Sequence, residues 1–257
     1  MSDPVMGEGA LPEPVVLEPG AIRASLRAGF RDFLKAPLFG LFFSAFYVAG
    51  GLVLWQVAAA AGQEWWLIPF ILGFPLLAPF AAIGLYEVSR RIEAGQPLDW
   101  GAVLGVVFAQ KDRQIPSMAM VVLLLFMFWV FVAHTIFALF MGLQALTHVT
   151  SSFGVLFEGN GPMMLAVGTV IGAGFSGVLF CVTVVGLPLL LEREVDFVSA
   201  IIVSFRAVFA NLGKMVFWGV LIGVLLAIGM APMFLGLFLV LPVLGHASWH
   251  MYRRLVE

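Results

Sequence analysis

Six apolar runs divide the chain, at about residues 38–61, 65–86, 116–143, 162–191, 214–230 and 232–252. About twenty apolar residues in a helix rising 1.5 Å per residue cross a bilayer core, so each run predicts a transmembrane helix. Three segments between the runs carry a different pattern. In residues 21–35, Ile22, Leu26, Phe30, Phe33 and Leu34 recur at helical spacing, while Arg23, Arg27, Arg31 and Lys35 form a row four apart on another face. That division suits a helix in the membrane interface, apolar side in the acyl boundary and cations toward lipid phosphates. A helix docked on the protein's own membrane domain would carry the same pattern. A second surface helix is predicted over 99–110, N-capped by Asp99, with Trp100, Val103, Leu104, Val107 and Phe108 as its apolar face. A third opens at Asp196, is apolar at Phe197, Ile201, Phe205 and Phe209, and stops near Asn211-Leu212-Gly213. The expected fold class is all-α: a polytopic membrane protein of six transmembrane helices plus about three interfacial amphipathic helices.

Local breakers refine the picture. Pro37 ends the first amphipathic helix, and Gly62-Gln63-Glu64 predicts a tight turn after the first span. Pro69, Pro75 and Pro79 predict a kinked second span. Gly168, Gly172 and Ser176 form a small-residue stripe that would let another helix approach the fourth span closely. The loop before that span, with Thr147, His148 and Asn160, leaves room for a short surface helix. The boundary between the last two spans, at Ala231-Pro232, has the weakest signal.

Composition agrees with the runs. Residues are 62% hydrophobic and 11% charged, with a mean hydropathy of +1.07, outside the range of soluble domains. The formal net charge of −2 argues against a nucleic-acid partner. One cysteine, Cys181, lies within an apolar run, so no disulfide framework is expected and its reading is that of a small buried hydrophobe. Residues 1–19 have no Lys or Arg and carry Pro4, Pro12, Pro14 and Pro19 among acidic residues, so a disordered acidic tail is expected rather than a signal peptide.

Charge also sets an orientation. All thirteen Lys and Arg fall before the first span, after the second and fourth, or at the C-terminus. The positive-inside rule then places both termini in the cytoplasm.

The chain also repeats. A shift of 179 residues pairs Ala21-Ile22 with Ala200-Ile201, Ser25 with Ser204, Arg27-Ala28 with Arg206-Ala207, Phe30 with Phe209 and Lys35 with Lys214. A shift of 163 pairs Leu72-Gly73 with Leu235-Gly236, Pro79 with Pro242 and Arg90-Arg91 with Arg253-Arg254. After the tail, residues 20–254 are expected to form one membrane domain of tandem helix-plus-hairpin units, about 20–96, 97–193 and 194–254.

Candidate chemistry is sparse. His246 and His250 are four apart on one face of the last span, a spacing that can seat a metal ion. The repeat puts Glu87 in the position of His250, so His246, His250 and Glu87 form the candidate metal set, with Glu192 a further carboxylate. The alternative has the imidazoles bonded to carbonyls or headgroups, beside an interfacial anchor of Trp249 and Tyr252. His134, deep in the third span beside Thr135, suggests an inter-helix hydrogen bond. The span cores hold no Asp, Glu, Lys or Arg, which lowers an ion-coupled transporter reading.

Leu85-Tyr86-Glu87-Val88-Ser89-Arg90-Arg91, the stretch from Ala200 to Asn211, and Gly245-His246-Ala247-Ser248-Trp249-His250-Met251-Tyr252-Arg253 together resemble an uncharacterised bacterial family. It is a domain-of-unknown-function family of predicted integral membrane proteins, found mainly in proteobacteria, some labelled cytochrome c oxidase subunit I-like. The resemblance, over about residues 20–254, implies a cell inner membrane protein without assigned activity. It does not extend to the oxidase core, which needs more ligand histidines within its spans than the four here, one of them (His148) in a loop. The expected function is non-enzymatic: an accessory or assembly partner of a membrane protein complex, in contact with the lipid bilayer and without a cofactor. The alternatives are a carrier or channel-like protein for a small or lipidic substrate, and a metal- or haem-binding redox protein.

Overall fold

The computed structural model describes residues 11–61, 79–142 and 157–256. These are helical apart from loops, turns and one isolated bridge between Pro14 and Val256. The helices are α1 Ala21–Lys35, α2 Pro37–Ala61, α3 Pro79–Glu93, α4 Trp100–Ala109 and α5 Ile115–Met141, then α6 Gly161–Thr183, α7 Gly186–Glu192, α8 Phe197–Ala210, α9 Leu212–Met230 and α10 Leu237–Leu255.

The expected start signals act as read. Asp99 accepts the Ala102 amide at 2.9 Å and Asp196 accepts the Ser199 amide at 2.9 Å, each satisfying an amide that the first helical turn leaves open. α1 follows Gly20, whose φ of 85° suits a residue without a Cβ. It ends because Pro37 drives Ala36 out of the helical region, to φ −134° and ψ 53°. Pro37 then opens α2 at the one helical position where its missing amide costs nothing. The result is a bend of 101° between α1 and α2.

Among the described residues, α5, α6 with α7 (Gly161–Glu192) and α9 are long and apolar enough to cross a membrane, and α1 with the start of α2 passes as a bent pair. The chain is an all-α membrane protein. Most of the second expected span, the Gly62-Gln63-Glu64 turn and most of the loop before α6 lie outside the described residues. Within the sixth expected span the helix begins at Leu237 rather than at residue 232, because Met233 and Phe234 take left-handed φ values of 52° and 65° and break the helix there, and α10 is not among the helices long and apolar enough to cross a membrane. The fourth is divided at Val184-Val185, between α6 and α7.

α10 is the centre of the packing. It lies along α1 and against α2, α3, α7 and α9. α4 packs on α3, where Trp100 also stacks on Phe39 of α2 at 3.9 Å between ring centroids. α8 packs on α6 and α7, and α5 on α6. Close approach depends on missing side chains. A Cβ on Gly29 of α1 would stand 2.5 Å from the Ala247 amide nitrogen and 2.7 Å from the Val243 carbonyl oxygen of α10. The stripe expected on the fourth span behaves differently: Gly168 faces open space, Ser176 is exposed, and Gly172 meets the Trp129 ring rather than a helix backbone.

Residues 11–19, expected within an unpacked tail, are docked. Leu17 is buried, and its amide donates to Asn211 Oδ1 at 2.7 Å. Asn211 Nδ2 donates to the Val15 carbonyl at 2.8 Å, and Lys214 Nζ to that of Leu17. The Val15 amide bonds the Leu255 carbonyl at 2.8 Å, tying this strap to the end of α10. Proline-rich sequence suppresses helix but leaves an extended chain free to dock where side chains accept its backbone groups.

Candidate functional site

The last turns of α10 carry polar side chains that are buried against neighbouring helices, so they need partners. The neighbouring helices supply them. Asp32 lies on the buried, small-residue face of α1, with Ala21, Ser25, Ala28 and Gly29. Its Oδ2 is 2.7 Å from His250 Nε2. From α3, Ser89 Oγ lies 2.7 Å from His246 Nδ1, and Glu93 accepts Trp249 Nε1 at 2.9 Å and Arg253 Nε at 3.3 Å. From α7, Glu192 accepts Arg253 Nη1 at 2.9 Å and the Tyr252 hydroxyl. One end of α10 is therefore bonded through side chains to α1, α3 and α7. Burial alone would raise the Asp32 carboxyl. The hydrogen bond and charge of His250, with Ser89 and His246 beside it, outweigh burial and hold it below the ordinary carboxylate value.

The three residues of the candidate metal set are placed with different partners. Glu87 is fully buried, but its two oxygens accept from Arg90 Nε at 2.7 Å, Arg90 Nη2 at 3.0 Å and Arg91 Nε at 2.7 Å. His246 faces Ser89, and His250 faces Asp32. Among the described residues, no group of three or more His, Cys, Asp or Glu side chains could hold a metal ion. Glu192, the further carboxylate, does reach the cluster.

Trp249 and Tyr252 are fully buried and bonded to carboxylates, not set at a lipid interface as their sequence pattern suggested. His134 Nδ1 bonds the Val130 carbonyl at 2.7 Å and Thr135 Oγ1 the Phe131 carbonyl at 2.8 Å. These two bonds run one turn back along the same helix, a common way to satisfy Thr and Ser in spans. Cys181 is half-buried.

Asp32, Ser89 and Glu93 escaped sequence reasoning. Asp32 had a readable signal: the shift of 179 places Asn211 at its position, and both are buried polar residues with long-range partners. Ser89 and Glu93 had none, since nothing in the chain shows which face of α3 meets α10. Chemically, Ser89 and His246 stand at nucleophile–base distance. Both are fully buried, and Asp32 orients His250 rather than His246, so the three groups do not line up as a relay.

Residues 67–192 match the family model "Predicted integral membrane protein (DUF2189)". That range leaves α1, α2 and α8 to α10, including the closing motif at Gly245–Arg253, outside the match. No curated protein and no solved structure matches the chain.

Proposed function

We propose that this is a non-enzymatic protein of the bacterial inner membrane, with both termini cytoplasmic, acting as an accessory or assembly partner of a membrane protein complex. The observation that carries this reading is the use of polar groups at the end of α10. Asp32, Ser89, Glu93, Glu192, His246, His250 and Arg253 are bonded to one another across four helices. Groups paired in this way fix helix register, with Asp32 Oδ1 and His246 Nε2 left buried without a hydrogen-bond partner among the described residues. By contrast, α5 and α9 present large exposed apolar side chains, among them Leu124, Phe128, Phe131, Phe217, Val220 and Ile228, for lipid or for another membrane helix.

Within this reading the six spans are α2, the segment ending in α3, α5, α6–α7, α9 and α10, in three tandem units. Each surface helix packs on the second span of the preceding unit: α4 on α3, α8 on α6–α7, and α1 on α10. The last contact closes the array into a ring. Buried equivalents support the repeat, with Ser25 matching Ser204 and Asp32 matching Asn211. Purification of the tagged native protein from its own membranes, after chemical crosslinking, tests the role. A reproducible stoichiometric membrane-protein partner is expected, and recovery of the chain alone or with a variable set would overturn the reading.

A further inference from the structure

A groove of about 490 Å³ runs between α1 and the end of α10, lined by Gly20, Arg23, Ala24, Arg27, Arg31 and Arg254. Its lining combines the small residues Gly20, Ala24 and Ala28 with four arginines. Arg90, Arg91, Arg113 and Arg253 are each ion-paired. Among the described residues, no salt bridge joins Arg23, Arg27, Arg31 or Arg254 to a carboxylate. Arg254 is steered into the groove by a hydrogen bond from its Nε to Ser25 Oγ at 3.2 Å. Four like charges converge here without an ion-pair partner among the described residues, and planar guanidinium forks suit phosphate oxygens.

We propose that this groove binds the phosphate of an anionic phospholipid headgroup. The geometry favours a lipid over a soluble phosphate. α1 lies at 101° to α2, so it runs along the membrane plane when α2 crosses. Phe30 and Leu34 of α1 are 47% and 60% exposed, beside the arginine row, where acyl chains would cover them. The row read from the sequence included Lys35. The structure replaces it with Arg254, from the far end of the chain, so a headgroup bound here bridges α1 and α10.

The test uses full-length protein in mixed vesicles of phosphatidylcholine and phosphatidylglycerol, with retained lipid counted by native mass spectrometry after extraction. The wild type should retain phosphatidylglycerol selectively. An R27Q/R31Q/R254Q variant should lose that preference by about tenfold or more, and K111Q, outside the groove, should keep it. Should the triple variant misfold, R27Q alone carries the test with an expected loss of about fivefold, at roughly 1 kcal/mol per basic residue near a membrane surface. Equal retention by the triple variant, or equal loss in K111Q, would overturn the proposal. Displacement of the lipid by inorganic phosphate at matched concentration would also overturn it, making the groove a site for soluble anions. None of these outcomes depends on whether a protein partner exists.

Discussion

Replacing Gly29 with alanine tests the contact on which the architecture depends. The new methyl would stand 2.5 Å from the Ala247 nitrogen, 2.7 Å from the Val243 oxygen and 2.8 Å from the Ala247 Cα. All three are backbone atoms of α10, so no side chain can turn aside. Ordinary contact needs about 3.5–4.0 Å, so α1 and α10 must part by roughly 1 Å. Overpacking of this kind costs about 1–3 kcal/mol, and alanine recovers about 1 kcal/mol of helix propensity. A net loss of up to about 2 kcal/mol is expected, with weakening of the Asp32–His250 bond beyond the contact. Gly174 of α6 is the control, because a Cβ there meets nothing within 4 Å. Gly174→Ala should gain up to about 1 kcal/mol. Unfolding in mixed micelles, followed by tryptophan fluorescence, measures both. Shifts of the same sign and size in the two variants would refute the close helix contact.

The remaining expectations concern the polar groups. Asp32→Ala should cost about 1.5–3 kcal/mol by removing a charge-assisted bond, with Asp32→Asn milder. Because the folded Asp32 carboxyl lies below its ordinary value, it contributes stability above about pH 4 that is lost as pH falls through the folded value. The acid limb of the stability profile should therefore flatten in Asp32→Asn, and an unchanged limb would contradict the assignment. Asn211→Ala should cost about 1–3 kcal/mol by orphaning the buried Leu17 amide, and should expose residues 11–20 to proteolysis in folded protein. His246→Ala/His250→Ala should lower stability without changing the metal content of the purified protein, whereas loss of a stoichiometric metal would restore the candidate metal set.

The division between what could and could not be read from the sequence has a physical basis. Helix existence, the Asp99 and Asp196 caps and the Pro37 break depend on neighbours within a turn, and these appear as read. The Met233–Phe234 break does not: neither residue favours a left-handed φ, so only packing holds it there. The aromatic pair at Trp249 and Tyr252 matched an interfacial anchor because composition cannot distinguish lipid from a buried carboxylate as the partner. His246 and His250 were visible by spacing, but their partners lie 157 and 218 positions away. Of those partners, Asp32 alone had a trace, through its repeat counterpart Asn211.

In the proposed orientation the α10 cluster and the arginine groove lie at the cytoplasmic face. Single cysteines placed at Gln63, Asn160 and Arg254 in a Cys181→Ser background test this in intact cells and inverted vesicles with a membrane-impermeant thiol reagent. Labelling at 63 and 160 from outside the cell, and at 254 only in inverted vesicles, is expected. Labelling of residue 254 from outside, or of all three positions from one side, would contradict it.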